Sequence, residues 1–456
     1  MLFTQLEFLI FLAAVFVAVW VSSKRSHRNA ILLVASYYFY AYWDYRFCGL
    51  LMFSTFVDFF VARKIQSSDS DAAGRRWLWV SLAANLGVLG FFKYFNFFIE
   101  SASPLLQSFG FATGTLSIIL PVGISFFTFQ TLSYTIDVYR GKLQPTASFL
   151  DFALYVAFFP QLVAGPIVRA RELLPQLSET PTWSNRRLYG GAQQLLRGAV
   201  KKVLLADRLG EMVDVVFAGS DLYSGLTLWI AALAYAGQIY YDFSGYTDMA
   251  IGAAKMLGYR FPKNFRHPYL ATSIADFWHR WHMTLSRWLR DYLYIRLGGS
   301  RGSDATTYRN LMITMTLGGL WHGAAWTFVV WGIWHGLALV LNRVRPRYPL
   351  GIVGWLLTMM IVLVGWVLFR SQDFATALLY LTRMTTLASG ISWYPPLVIG
   401  VLAVMVIEHA AWRTRLRFAM RLPHDRWYSP VATAVMLWAL VLYSPRGFQP
   451  FVYFQF

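Results

Sequence analysis

Four of the chain's eight histidines fall between residues 279 and 335, in a polypeptide that is otherwise mostly apolar. His279 and His282 sit in the run Asp276-Phe277-Trp278-His279-Arg280-Trp281-His282. His322 and His335 each centre a Trp-His-Gly triplet, at Trp321-His322-Gly323 and Trp334-His335-Gly336. Ionisable side chains are costly at membrane depth, so a cluster of them there marks a functional site by default. Desolvation favours the neutral imidazole. A neutral imidazole can take a proton from a hydroxyl as that oxygen attacks a carbonyl. Gly318, Gly319 and Gly323 beside His322 permit another backbone or a substrate to come close. The plainer alternative is a structural histidine bonded to a neighbouring helix, since buried polar groups are usually satisfied.

If the chain is helical from His322 to His335, the two rings lie about 20 Å apart along the axis and on nearly opposite faces. They would then not share a site, and at most one triplet is chemical. His282 is the natural partner for His322 from elsewhere in the chain. His279 and His282 are three apart, so both can face one way on a helix. A zinc site there lacks a third ligand and the Glu of the H-E-x-x-H pattern, so no metal is expected. Asp242 and Asp248 place two carboxylates beside an apolar span; pairing with Arg or Lys is the plain reading, and orienting an imidazole the functional one. Cys48 is the single cysteine; it excludes an intrachain disulfide and reads as a structural thiol.

The elements that must position these groups are membrane helices. Of 456 residues, 57% are hydrophobic and 14% charged, with 19 Trp, and the mean hydropathy is +0.46. Soluble domains carry about 25% charged residues. Apolar segments fall near residues 3–22, 30–43, 47–62, 77–98, 115–137, 150–168, 224–241, 309–341, 351–369, 396–412 and 428–444. They predict an all-α polytopic protein with roughly ten to twelve crossings plus re-entrant pieces. The 309–341 run is one long helix or two. The net charge of +18 lies in short loops and fits anionic lipid rather than nucleic acid. Basic clusters at Lys24, Arg25 and Arg28 and at Arg63, Lys64, Arg75 and Arg76 share the cytoplasmic side, which puts the N-terminus in the periplasm. Residues 8–21 read as an uncleaved first span.

Residues 188–209 and 276–297 read as interfacial amphipathic helices. In the second, Phe277, Trp281, Leu285, Trp288, Tyr292 and Ile295 form an apolar stripe. The segment Phe159-Pro160-Gln161-Leu162-Val163-Ala164-Gly165-Pro166 predicts a broken helix lining a cavity. Repeats and soluble inserts are missing, so residues 1–456 form one membrane domain with a catalytic core at approximately 115–343. No Walker-A loop, G-x-S-x-G elbow or G-x-G-x-x-G fingerprint occurs.

These motifs together resemble the membrane-bound O-acyltransferase family, in its bacterial alginate O-acetylase branch. The resemblance rests on residues 276–282, on Leu285-Ser286-Arg287-Trp288-Leu289-Arg290-Asp291-Tyr292-Leu293-Tyr294-Ile295 with Leu297-Gly298-Gly299, and on Gly318-Gly319-Leu320-Trp321-His322-Gly323. Tyr240-Tyr241-Asp242-Phe243-Ser244-Gly245-Tyr246 and Pro450-Phe451-Val452-Tyr453-Phe454-Gln455-Phe456 are also similar. It implies an all-helical ring or funnel with the catalytic histidine in a tunnel joining both faces. His322 matches the family's essential histidine and His282 its second motif histidine. Trp321, Trp281, Ser286, Asp242 and Tyr246 are further candidates for contacts to substrate or donor. Arg287, Arg290 and Arg296 are candidates for coenzyme phosphates. The implied donor is cytoplasmic acetyl-CoA, with no resident cofactor. The implied partners are membrane lipid, a periplasmic SGNH-hydrolase-like protein and a secreted alginate- or cellulose-like polysaccharide, at the bacterial inner membrane. D-alanyl transfer to teichoic acid, sugar transport without a covalent step, and an intramembrane metallohydrolase using His279 and His282 are the competing readings.

Overall fold

A computed structural model describes residues 1–344, 351–412, 426–443 and 451–452. Those residues are helical apart from turns, loops and one isolated bridge. They divide into two compact units: residues 1–195 with 249–262, and residues 196–248 with 263–456.

The first unit carries α1 (Leu6–Val21), α2 (Arg25–Asp44), α3 (Cys48–Gln66), α4 (Asp71–Leu89), α5 (Phe95–Ser108), α6 (Ile124–Tyr139), α7 (Phe149–Ala157), α8 (Phe159–Leu162) and α9 (Ala170–Leu177). Helix α10 (Asn185–Val200) begins here and ends in the second unit. The break between α7 and α8 falls at Phe158, ahead of Pro160, as the two-proline segment predicts. Mid-bundle, the Asp58 carboxylate of α3 accepts hydrogen bonds from Ser81 and Asn85 of α4 and Thr135 of α6. Three neutral donors satisfy it where water cannot reach.

The second unit holds α11 (Asp207–Ala218), most of α12 (Gly225–Met256), α13 (Ile274–Arg280), α14 (Met283–Leu289), α15 (Asp304–His322), α16 (Trp326–Val344), α17 (Gly351–Arg370), α18 (Phe374–Thr385), α19 (Pro396–Trp412) and α20 (Tyr428–Leu442). Ser303 starts α15 by accepting the Thr306 N–H, a serine N-cap. The chain leaves helical geometry at Gly323 and re-enters it at Trp326, so the 309–341 run is two helices.

Among the described residues, four helical stretches are long and apolar enough to cross a membrane: Arg25–Gln66, Asp71–Ser108, Trp326–Val344 and Gly351–Arg370. Leu6–Val21, Pro396–Trp412 and Tyr428–Leu442 are apolar but shorter.

Glycine sets the spacing of the α15–α16 hairpin. A Cβ on Gly319 would collide with the Phe328 carbonyl, and one on Gly332 with the Met315 carbonyl. The two helices therefore meet backbone to backbone, a packing mode that membrane helices use in place of large apolar side chains. Replacing Gly332 by Val should force the pair apart. Overpacking of this kind costs about 1–3 kcal/mol. The expected result is a lower melting temperature of the detergent-solubilised protein and loss of activity, and an unchanged melting temperature would contradict it.

Candidate active site

His322 closes α15 and is 6% exposed. Its ring packs edge to face on Trp331 at 5.1 Å and on Phe369 at 5.4 Å, with Trp321 at 5.0 Å. These neighbours come from α15, α16 and α17, so the hairpin and the following helix build its socket.

His282 arrives by a different route. The predicted continuous helix over 276–297 is interrupted: α13 ends at Arg280, and α14 starts at Met283. Between them His282 adopts a left-handed backbone, φ 39°, uncommon for a residue with a side chain. Remote hydrogen bonds hold it there. The Asn264 carbonyl accepts the Met283 N–H at 2.9 Å. The Asn264 side-chain oxygen accepts the Thr284 N–H at 3.2 Å and hydroxyl at 2.6 Å. Asn264 thus supplies acceptors to donors that the broken helix would leave unsatisfied. The break also corrects the expectation for the first pair of histidines. His279 is exposed while His282 is buried, so they do not face one direction.

The His282 and His322 ring centres are 6.4 Å apart. Phe243 of α12 lies edge to face on His282 at 4.7 Å, and Trp321 is 6.0 Å from it. Burial lowers the His282 imidazole from its ordinary value to about 3, so the ring is neutral.

The second triplet joins the same aromatic cluster, contrary to the expectation drawn from a continuous helix. Because α15 and α16 are antiparallel neighbours, Trp331 meets His322 at 5.1 Å and His335 at 4.9 Å.

The remaining candidates divide by position. Trp281 is buried, 4.8 Å from Trp366, and its carbonyl accepts the Ser286 hydroxyl at 3.3 Å. Arg287 lies part-buried on α14, whereas Arg290 and Arg296 are exposed and Arg290 pairs with Asp291 at 2.8 Å. Asp242 and Tyr246 stand on α12 in a buried charge cluster. Asp242 Oδ1 takes the Lys202 ammonium at 2.6 Å, and Oδ2 accepts the Val452 N–H at 2.8 Å. Lys202 also pairs with Asp207 at 2.9 Å. Phe451 lies 4.3 Å from the Tyr246 ring and 4.7 Å from the Lys202 Nζ. Of the matched terminal motif, Pro450 and residues 453–456 lie outside the described residues.

The predicted amphipathic helix 188–209 is likewise interrupted, by a π turn at Lys201–Ala206. Its wider winding lets consecutive lysines reach separate carboxylates, Lys201 to Asp248 at 2.8 Å and Lys202 to Asp242. At Lys202 burial opposes the charge, but Asp242 and Asp207 outweigh it and raise the ammonium's pKa. Burial pushes the Asp207 carboxyl up to about 6 despite Lys202 beside it.

Among the described residues, no three His, Cys, Asp or Glu side chains converge as metal ligands.

Sequence comparison fits this geometry. The family model "membrane-bound O-acyltransferase family" matches residues 143–347. The probable alginate O-acetylase of Pseudomonas aeruginosa is 44% identical over 384 residues, covering 83% of this chain and 73% of its own. The chain belongs to the membrane-bound O-acyltransferase family. The peptidoglycan O-acetyltransferase of Helicobacter pylori is 39% identical over 394 residues, 79% of this chain and 74% of its own. The teichoic acid D-alanyltransferase of Streptococcus thermophilus is 28% identical over 242 residues, 50% and 58% of the two chains. The protein is therefore a membrane O-acyltransferase.

The Lys202 cluster yields a stability test. Asp242→Ala leaves a buried ammonium with one partner fewer; breaking a buried pair this way costs about 3–5 kcal/mol. Lys202→Met with Asp242→Leu and Asp207→Leu removes all three charges of the cluster and should recover much of that loss. Thermal unfolding of the single and triple variants checks it, and a triple variant no better than Asp242→Ala alone would refute it.

Proposed function

We propose that this acyltransferase moves an acetyl group from cytoplasmic acetyl-CoA through the membrane for O-acetylation of a secreted polysaccharide. The observation that carries this reading is the pair of buried imidazoles, His282 and His322, with ring centres 6.4 Å apart. In the proposed reaction His322 takes the proton of the acceptor hydroxyl as its oxygen attacks the thioester carbonyl. His282, neutral through burial, orients the substrate or stabilises the charge that develops on the carbonyl oxygen. Collapse of the adduct expels the coenzyme thiolate, which recovers the proton from His322.

Acetyl as the transferred group is supported by relatives named for O-acetylation of alginate and of peptidoglycan. The polymer is alginate- or cellulose-like, and a periplasmic SGNH-hydrolase-like partner receives the group. A phosphate-bearing donor cannot enter hydrocarbon, so it docks at the cytoplasmic mouth, with Arg287, Arg290 and Arg296 as its phosphate contacts. The site lies in the inner membrane, with the N-terminus in the periplasm. The relative named for D-alanyl transfer to teichoic acid supports a second reading, in which the same imidazoles move an aminoacyl group.

Vesicles carrying wild type, His322→Ala or His282→Ala, supplied with labelled acetyl-CoA, test the proposal. His322→Ala should abolish transfer, and His282→Ala should lower it by about 100-fold, typical of lost general acid–base or oxyanion help. Wild-type transfer by His322→Ala would defeat the assignment. Movement of intact sugar without consumption of thioester would favour transport.

A further inference from the structure

His282 stands at the N-cap position of α14 with a left-handed backbone, φ 39° and ψ 54°. For a residue with a Cβ this conformation is costly, and it persists only where the surroundings over-determine it. An N-cap side chain ordinarily accepts an N–H of the first turn. The His282 side chain makes no such bond, and a distant segment supplies the acceptors instead. Residues 264–266 lie along the break as a splint. The Arg266 N–H donates to the Arg280 carbonyl, at the end of α13, at 3.0 Å. The Asn264 carbonyl accepts the Met283 N–H at 2.9 Å. The Asn264 Oδ1 accepts the Thr284 N–H at 3.2 Å and the Thr284 hydroxyl at 2.6 Å. Its Nδ2 donates to the Thr247 hydroxyl of α12 at 3.4 Å. A backbone N–H can only donate, so the amide oxygen must be the atom that faces Thr284.

This splint works against a competing conformation of the same segment. The apolar residues from Phe277 to Ile295 keep helical spacing. As one continuous helix the segment would satisfy the Met283 and Thr284 amides internally, on the carbonyls four residues back. His282 would then share a face with His279, which is exposed. In the broken form those amides belong to the first turn of α14 and need outside acceptors. Asn264 and Thr284 are buried, so donors left without acceptors there would be costly. The two side-chain bonds and the main-chain bond at Asn264 therefore select the broken form, and with it the buried position of His282.

We propose that Asn264 is a positioning residue for acyl transfer. It caps α14 in place of His282 and so keeps the His282 imidazole in the site. Asn264 moves no proton itself; it acts through the backbone of residues 282–284. Thr247 is the brace on the far side of the amide. The role rests on the reading of His282 as an imidazole that orients the substrate or stabilises the developing charge.

The test uses the full-length protein in vesicles, with kcat and KM measured for acetyl-CoA and thermal stability measured alongside. Asn264→Ala should lower kcat about tenfold, the scale of one lost buried hydrogen bond expressed in the transition state, with KM unchanged. Asn264→Asp keeps an oxygen facing Thr284, and its second oxygen can accept the Thr247 hydroxyl, so it should recover most of that loss. In a His282→Ala background Asn264→Ala should cause no further fall, because the ring it positions is gone. Carbethoxylation of His282, read by mass spectrometry, should be slow in the wild type and faster in Asn264→Ala. If Asn264→Ala fails to fold, Thr284→Val, which removes the hydroxyl donor and keeps the shape, carries the same cycle with an expected fall of about threefold. Wild-type kcat in the folded variants, equal loss in Asn264→Ala and Asn264→Asp, a further tenfold fall in the His282→Ala background, or an unchanged rate of His282 modification would each overturn the positioning role. Wild-type transfer by His282→Ala would instead overturn the reading of His282 on which the role rests.

Discussion

The backbone contact between α15 and α16 is the constraint from which the site follows. With Gly319 against the Phe328 carbonyl and Gly332 against the Met315 carbonyl, no side chain separates the helices. Trp331, one residue before Gly332, is thereby pressed into the interior beside His322. The same contact makes two triplets that a single helix would hold far apart members of one aromatic cluster. Small residues are usually read as permissive; here they fix distance, and distance decides which imidazoles have common neighbours.

A second, weaker element is arranged around this rigid one. His282 owes its position to a helix break that its own segment stabilises only in part, through the Ser286 hydroxyl on the Trp281 carbonyl. Asn264 compensates from outside by accepting the Met283 and Thr284 amides. The site thus combines a histidine held by packing with a histidine held by hydrogen bonds. The first tolerates little change in volume, and the second little change in polarity. Phe243 ties the two parts of the second unit together. It lies on His282, and its neighbour Asp242 holds both Lys202 and the Val452 amide.

Much of this was legible in the residues, and the failures have physical causes. Composition and long apolar runs are strong signals, so the helical membrane class, the break before Pro160 and the importance of glycine beside His322 could be read directly. The apolar stripe from Phe277 to Ile295 has unbroken helical spacing, yet the helix breaks at His282. The acceptors that stabilise the break sit at Asn264, and periodicity within a segment carries no information about remote partners. The π turn at Lys201–Ala206 was hidden for the same reason, since its lysines answer carboxylates on α12. The sequence around Asn264, Phe261-Pro262-Lys263-Asn264-Phe265-Arg266-His267-Pro268, has two prolines and a side-chain amide between apolar runs. That is a loop signal, and by itself it does not say which element the loop would meet.

The hydrogen bond from Val452 to Asp242 joins positions 210 residues apart. A ribosome adds about 5–20 residues per second, so the helix bearing Asp242 is made some tens of seconds before its last partner emerges. During that interval one carboxylate oxygen awaits its amide, with Lys202 already made. The second unit is therefore completed late in synthesis, and a ribosome that stops between residues 425 and 451 releases a chain whose histidines are all present but whose charge cluster is unfinished.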